Sequence, residues 1–217
     1  NTGDGGNTGD GTEGGDGTEG GEPTPEEPVV PPTTFGWEIR YTTTDGKKLD
    51  WIENRFGVTI TSHEQRGDMW VVTFGSDLSM LGVEGAWNGA FESMKTLKSV
   101  VLPDSITTIW AYSFYNCTKL ESVVLPANLE TISGQSFFAT GLTSINIPAS
   151  VKEIGYNAFN GAPLTAVNVF ATKPPKIDNV TVFTNRYTPV YVPEESITDY
   201  NEDDVWSEFF IRALPEE

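Results

Sequence analysis

A seven-residue segment returns along this chain at nearly constant spacing. Leu97-Lys98-Ser99-Val100-Val101-Leu102-Pro103 recurs as Leu120-Glu121-Ser122-Val123-Val124-Leu125-Pro126 and as Leu142-Thr143-Ser144-Ile145-Asn146-Ile147-Pro148. A fourth copy, Leu164-Thr165-Ala166-Val167-Asn168-Val169, lacks the proline. The copies start 23, 22 and 22 residues apart. In each full copy an Ile stands twelve residues after the first Leu (Ile109, Ile132, Ile154) and a Phe seventeen after it (Phe114, Phe137, Phe159). Three apolar anchors in phase at this period define a repeat array, in which one unit cannot cover its own apolar faces and its neighbours must.

The spacing also sets what each anchor does. Within the segment, alternation sends Val100 and Leu102 inward and Val101 outward, so each unit supplies one short strand. The proline ends it, because Pro has no N–H for the ladder. The Ile and Phe bring the chain back and fill the interior from the opposite side. The expected fold is a β-rich leucine-rich-repeat solenoid with right-handed coils, one short strand per repeat and little helix. An N-terminal β-hairpin cap and a C-terminal helical cap would close its two ends.

Four domain segments follow. Residues 1–34 are low in complexity: NTGDG stands at 1–5 and 7–11, TEGG at 12–15 and 18–21, and five prolines lie between 23 and 32. With almost nothing to bury, such a segment cannot offset the entropy of ordering its backbone, and it is expected to be a disordered acidic tether. Calcium binding is the alternative there, since Asp and Gly alternate, but the apolar position of calcium repeats is lacking. Residues 35–68 form a β-rich cap: Trp37, Ile39 and Tyr41 alternate with polar residues, Asp45-Gly46 marks a turn, and Arg66-Gly67-Asp68 marks a hairpin. Leu49, Trp51, Ile52 and Phe56 fit either a short helix or a strand. Residues 69–193 are the solenoid. Its segment 69–96 is a degenerate first coil in which Phe74, Leu78, Leu81 and Phe91 take the anchor roles, with an insertion around Gly85-Ala86-Trp87. Residues 194–217 are the C-terminal cap, one or two short helices between Glu194 and Phe210 sealed by Val205, Trp206, Phe209 and Phe210, after a last strand Val190-Tyr191-Val192.

The formal net charge is -18, from 31 acids against 13 bases. Such a surface repels phosphate backbones and anionic lipid head groups, so nucleic acid is not an expected partner. The single cysteine, Cys117, allows neither an internal disulfide nor a CxxC metal framework, and neither a metal nor another cofactor is expected. No run of about 18 apolar residues occurs.

The repeat resembles the BspA-type leucine-rich repeat of bacterial surface proteins: Leu-x-x-Val-x-Leu-Pro, then Ile often followed by Gly, then Ala-Phe and a small or Cys residue. Ile154-Gly155 and Ala158-Phe159 match closely. Trp110 and Ser133 depart from the Gly, Ser113 and Ser136 from the Ala, and Cys117 stands where the family often has a buried Cys. Pro174-Pro175, Tyr191-Val192-Pro193, Tyr200 and Trp206 are similar to the family's usual ending, and the resemblance covers about residues 58–212. It implies an exported, cell-surface lipoprotein anchored in the outer membrane through a lipidated cysteine ahead of Asn1, with residues 1–34 as its stalk, and adhesin roles in some relatives. Fold analogy transfers function weakly.

The expected function is a non-catalytic cell-surface module for protein–protein interaction or adhesion, its partner a host matrix protein or another bacterial surface protein. The candidate face is the outward strand row Ser99, Val101, Ser122, Val124, Ser144, Asn146 and Asn168, small and uncharged. The alternative is surface glycan binding through aromatics off the anchor positions, Trp110, Tyr112, Tyr115 and Tyr156, which could equally be packed between coils. Arg66, Gly67 and Asp68 form the tripeptide that integrins read, or simply a turn. A spacer without a ligand, or an enzyme using His63, the only histidine, are more distant alternatives. No nucleophile-elbow glycines accompany any Ser, Cys117 would need His63 beside it to act as a nucleophile, and the acidic pairs Glu194-Glu195 and Glu202-Asp203-Asp204 fall in the capping helices. No enzymatic activity is expected.

Overall fold

The computed structural model describes residues 37–50, 55–86 and 88–215. The tether segment 1–34, Trp51, Ile52 and Trp87 lie outside the described residues.

Each repeat contributes two strands to two separate stacks. The first stack holds the Leu-x-x-Val-x-Leu segments, β5 (Leu97–Val101), β7 (Ser122–Val124), β9 (Ser144–Ile147) and β11 (Ala166–Val169). Their pairings are parallel and in repeat register: Ser99 opposite Ser122, and Asn146 opposite Asn168. The second stack holds the two-residue strands around the Ile anchors, in the order β12 (Lys176–Ile177), β10 (Glu153–Ile154), β8 (Thr131–Ile132), β6 (Thr108–Ile109) and β4 (Met80–Leu81), all parallel. Ile109, Ile132 and Ile154 are buried there as the spacing predicts.

The Phe anchors form the third element of the interior. Phe91, Phe114, Phe137 and Phe159 stack face to face, with centroid distances of 5.1, 4.9 and 5.1 Å between successive rings. Phe183 extends the ladder from Phe159 at 5.7 Å, two residues later in its repeat than the pattern predicts. Phe56 closes one end edge-on to Phe91, and Phe209 the other against Phe183. These offset stacks bury large apolar area in a geometry that aromatic quadrupoles favour.

Two backbone positions per repeat adopt left-handed φ. One lies two residues before the Phe (Tyr112, Gln135, Asn157) and one two residues after it (Ser93, Asn116, Ala139, Gly161). The chain turns sharply on both sides of each ring. In the repeats from 97 onward glycine occupies the position only once, at Gly161, so the others bear the strain that L-residues meet in this region.

The N-terminal part is a three-stranded antiparallel unit, β2 (Ile60–Arg66), β3 (Met69–Phe74) and β1 (Glu38–Thr43), with β1 pairing antiparallel to β5. Gly67, at φ +61°, makes the two-residue hairpin between β2 and β3. The unit therefore includes β3, which the sequence placed in the solenoid. Parallel pairing with the repeats begins at Met80 in β4. Leu78, Leu81 and Phe91 take first-repeat anchor roles, whereas Phe74 packs on Phe56 under the antiparallel unit.

At the other end, β13 (Pro189–Val192) continues the first stack. One short helix, α1 (Ile197–Glu202), flanked by 3-10 turns at Glu194–Ser196 and Trp206–Glu208, follows it. The chain then adds a strand that was not expected, β14 (Phe210–Ala213), parallel to β13. Trp206 and Phe209 seal the end as predicted, but Phe210 is 44% exposed, because alternation in β14 turns it to the outer face. The ladder of the first stack is interrupted once: β7 ends one hydrogen-bonded sheet and β9 begins another.

Candidate binding surfaces

The outward positions of the first stack line up across the strands because pairing is in register. Ser122, Val124, Ser144, Asn146 and Asn168 are exposed or half-buried, as alternation predicts. The Asn168 amide nitrogen donates to the Asn146 carbonyl oxygen at 2.7 Å, tying neighbouring repeats along this row. The two positions nearest the N-terminal unit differ. Val101 is outward but only 6% exposed, and Ser99 is half-buried, because β1 runs alongside β5 and places Arg40 opposite Val101 and Thr42 opposite Ser99. The Thr42 and Ser99 hydroxyls are 2.6 Å apart. The open face thus starts at β7, not at β5.

It also runs further than the sequence indicated. Tyr191 on β13 lies opposite Asn168, and Arg212 on β14 opposite Tyr191. The Arg212 guanidinium sits 3.9 Å above the Phe210 ring centroid. The alternation of Phe210 and Arg212 with Ile211 and Ala213 carried the signal for this strand, which a helical assignment of 194–210 obscured.

Arg66 is held down on the N-terminal unit. It reaches the Glu38 carboxylate at 2.6 Å and the Glu64 carboxylate at 2.7 Å, and these bonds, Glu64 first, raise its pKa further. Arg40 is a third partner in this group, 3.2 Å from Glu38. Gly67 and Asp68 are exposed at the hairpin tip.

The candidate aromatics gather on another surface, around the left-handed turns. Tyr156, 48% exposed, lies over Gly134, where an added Cβ would come within 2.6 Å of the ring. Its hydroxyl donates to the Gln135 side-chain oxygen at 3.3 Å. Tyr112 meets Tyr115 edge-on at 5.7 Å, and Tyr115 stacks on Phe138 of the next repeat at 5.1 Å. Trp110 is half-buried against Gly82. Trp110 and Tyr115 pack between repeats, while Tyr156 faces solvent.

The groups considered for catalysis have structural partners. His63 Nε2 is 2.7 Å from the Tyr41 hydroxyl, which also accepts from the Leu49 amide at 3.0 Å. Burial lowers the His63 pKa to about 4 and raises that of Tyr41 to about 12. Cys117 is buried and donates to the Phe91 carbonyl at 2.9 Å, and burial pushes its pKa up to about 12. It is a thiol filling the repeat interior, not an activated thiolate. Asp203 caps the turn that follows it, accepting from the Val205 and Trp206 amides, both at 2.9 Å. Ser113, at a position where the pattern has Ala, donates to the Leu81 carbonyl of the preceding repeat at 2.9 Å. Among the described residues no group of three or more His, Cys, Asp or Glu is placed to hold a metal ion, and no helix is long and apolar enough to cross a membrane.

The family model for the BspA type leucine rich repeat region matches residues 83–186, in six copies. Over these residues, 104 of 217, the chain is similar to that repeat region. The six copies of this region exceed the four segments found by spacing from residue 97. Among solved structures, the chain is similar to the pneumococcal vaccine antigen PcpA at 20% identity and a TM-score of 0.46. The match covers 64% of this chain and 40% of that one, so the chain spans well under half of PcpA's length there. No curated protein matches the chain.

Proposed function

We propose that the chain is a non-catalytic cell-surface module whose stacked-strand face binds a protein partner, as an adhesin or as a receptor for another surface protein. The observation that carries this reading is the outward row of the first stack, in register from β9 to β14 and flanked by β7. Small, uncharged side chains (Ser122, Val124, Ser144, Asn146, Asn168) stand on this face and lead to Tyr191 and Arg212. Repeat proteins use such extended faces for recognition, and Tyr and Arg are the residue types enriched at interface centres. The BspA-type repeat supports a surface role, and the lipid anchor and acidic stalk are part of the same proposal.

The test is a binding screen of the purified chain over immobilised host matrix proteins and a glycan array, with a Val124→Asp, Asn146→Asp variant alongside. A protein hit lost in the variant supports the reading. Binding retained by the variant places the site elsewhere and overturns it.

A second reading, surface glycan capture, draws on the exposed Tyr156 ring beside the Gln135 amide, since aromatic faces and adjacent polar groups suit a sugar. A glycan-array hit lost in Tyr156→Ala but kept in the strand-face variant would favour it.

A further inference from the structure

We infer that the C-terminal half of the strand face, the row Asn146, Asn168, Tyr191 and Arg212, docks an extended acidic peptide segment of the partner and that Arg212 takes its carboxylate. This deepens the protein-binding reading and rests on it.

The placement comes from register alone. Asn146 pairs with Asn168, Asn168 with Tyr191 and Tyr191 with Arg212, so four outward side chains stand in one line across β9, β11, β13 and β14. Strands lie about 4.8 Å apart, so the line spans roughly 14 Å, the length of about four extended residues.

The chemistry along the line fits a peptide. The bond between the two asparagines uses one Asn168 N–H and the Asn146 carbonyl oxygen. It leaves the Asn146 amide group as a donor and the Asn168 carbonyl oxygen as an acceptor. A peptide unit presents the matching C=O and N–H. Tyr191, half-buried, adds a phenol to pack against the next residue.

Arg212 sets the sign of the charge. The chain is strongly acidic, and its other arginines are committed. Arg40 and Arg66 bond Glu38, Arg186 lies 3.7 Å from Glu208, and Arg55 donates to the Gly89 and Glu92 carbonyls. Arg212 is exposed and pairs with no carboxylate among the described residues; the Phe210 ring beneath it holds the guanidinium in place. A preoriented planar fork suits a carboxylate bidentately. The chain's other acids are screened beyond about 8 Å at physiological salt, so this local group decides what docks there.

The experiment is fluorescence anisotropy of the full chain with three labelled hexapeptides. The first alternates Ser and Glu and is amidated at the C-terminus. The second has Gln for Glu. The third is the Gln peptide with a free C-terminal carboxylate. The first should bind, and the second at least about tenfold more weakly, the order expected for losing one charge-assisted hydrogen bond. Arg212→Ala should weaken the first by a similar factor and Asn168→Leu by a smaller one. Arg186→Ala, a guanidinium outside the strands, should leave it unchanged. If the third peptide binds as the first does and loses binding in Arg212→Ala, the carboxylate is a chain terminus rather than a side chain, and the inference stands. Equal binding of the Glu and Gln peptides, no binding of either acidic form, or an unaffected Arg212→Ala variant overturns it. So does displacement of the first peptide by trigalacturonate at lower concentration than by unlabelled peptide, which would make the site one for acidic sugars. A matrix-protein hit lost in the strand-face double variant, with no acidic-peptide binding, overturns this inference while the broader reading survives.

Discussion

The carboxylate of Glu38 holds the guanidinium of Arg66 at 2.6 Å, across the antiparallel unit from the hairpin that contains it. Glu38 is only 6% exposed and also engages Arg40. Integrin recognition of Arg66-Gly67-Asp68 would need that guanidinium extended toward a receptor. Asp68→Glu is therefore expected to leave integrin-dependent cell attachment unchanged. Attachment abolished by Asp68→Glu would reinstate the tripeptide as a site. Glu38→Gln should cost about 1 kcal/mol in urea unfolding, since the pair is partly solvated.

Phe137 stacks between Phe114 and Phe159 at 4.9 and 5.1 Å. Phe137→Ala should destabilise by roughly 3–5 kcal/mol, the range for emptying a large aromatic site. Chemical denaturation reads this directly. A loss under about 1 kcal/mol would mean that neighbouring repeats close over the void, contrary to a rigid ladder.

Gly155 shows why a small residue suits the position after the Ile anchor in its repeat. A Cβ there would meet the Gly134 backbone nitrogen at 2.4 Å and its Cα at 2.9 Å. Gly155→Ala must push apart two repeat backbones and should cost at least about 1–3 kcal/mol, as overpacking does. Trp110 and Ser133 occupy the equivalent position in their repeats, so the requirement belongs to the local approach of Gly155 and Gly134 rather than to the repeat in general. An unchanged melting temperature for Gly155→Ala would refute it.

His63 is neutral in the folded chain, its pKa lowered to about 4 by burial, against about 6.5 when unfolded. Between these values the unfolded state binds a proton that the folded state does not. Stability should therefore fall as pH drops from about 6.5 to 4, and no penalty from this residue is present above 6.5. His63→Gln should flatten that part of the pH profile relative to the parent chain. Parallel profiles would show that other groups set the slope.

Cys117, a buried thiol with its pKa pushed up to about 12, should resist iodoacetamide at pH 8 and react once guanidinium unfolds the chain. Rapid labelling of the native chain would contradict its burial.

The repeat was legible because each anchor is apolar and its period is fixed by geometry. Val100, Ile109 and Phe114 land in the interior positions that spacing assigned. Cys117 was legible for the same reason. What escaped has different physics. Val101 is outward by alternation, yet covered, because β1 pairs with β5 from some 57 residues away, as Thr42 does with Ser99. Met69–Phe74 looked like a repeat strand because strand residues carry no label for the partner they choose. Phe210–Ala213 was absorbed into a helical cap by its aromatic neighbours. Left-handed φ at Tyr112, Gln135 and Ala139 is forced by the turns around each Phe and leaves no glycine to signal it. Outward exposure was therefore legible from Ser122 to Asn168, but not the covering of Val101 nor the extension of the face to Arg212.

The interruption between β7 and β9 has a mechanical meaning. Val123 is half-buried there, whereas its equivalents Val100, Ile145 and Val167 are buried. On the opposite side of the same two repeats, β8 and β10 remain paired, and Phe137 and Phe159 remain stacked. One edge is fastened and the other is open, which is the construction of a hinge. Rotation about the fastened edge would change the curvature of the strand face without breaking a backbone hydrogen bond.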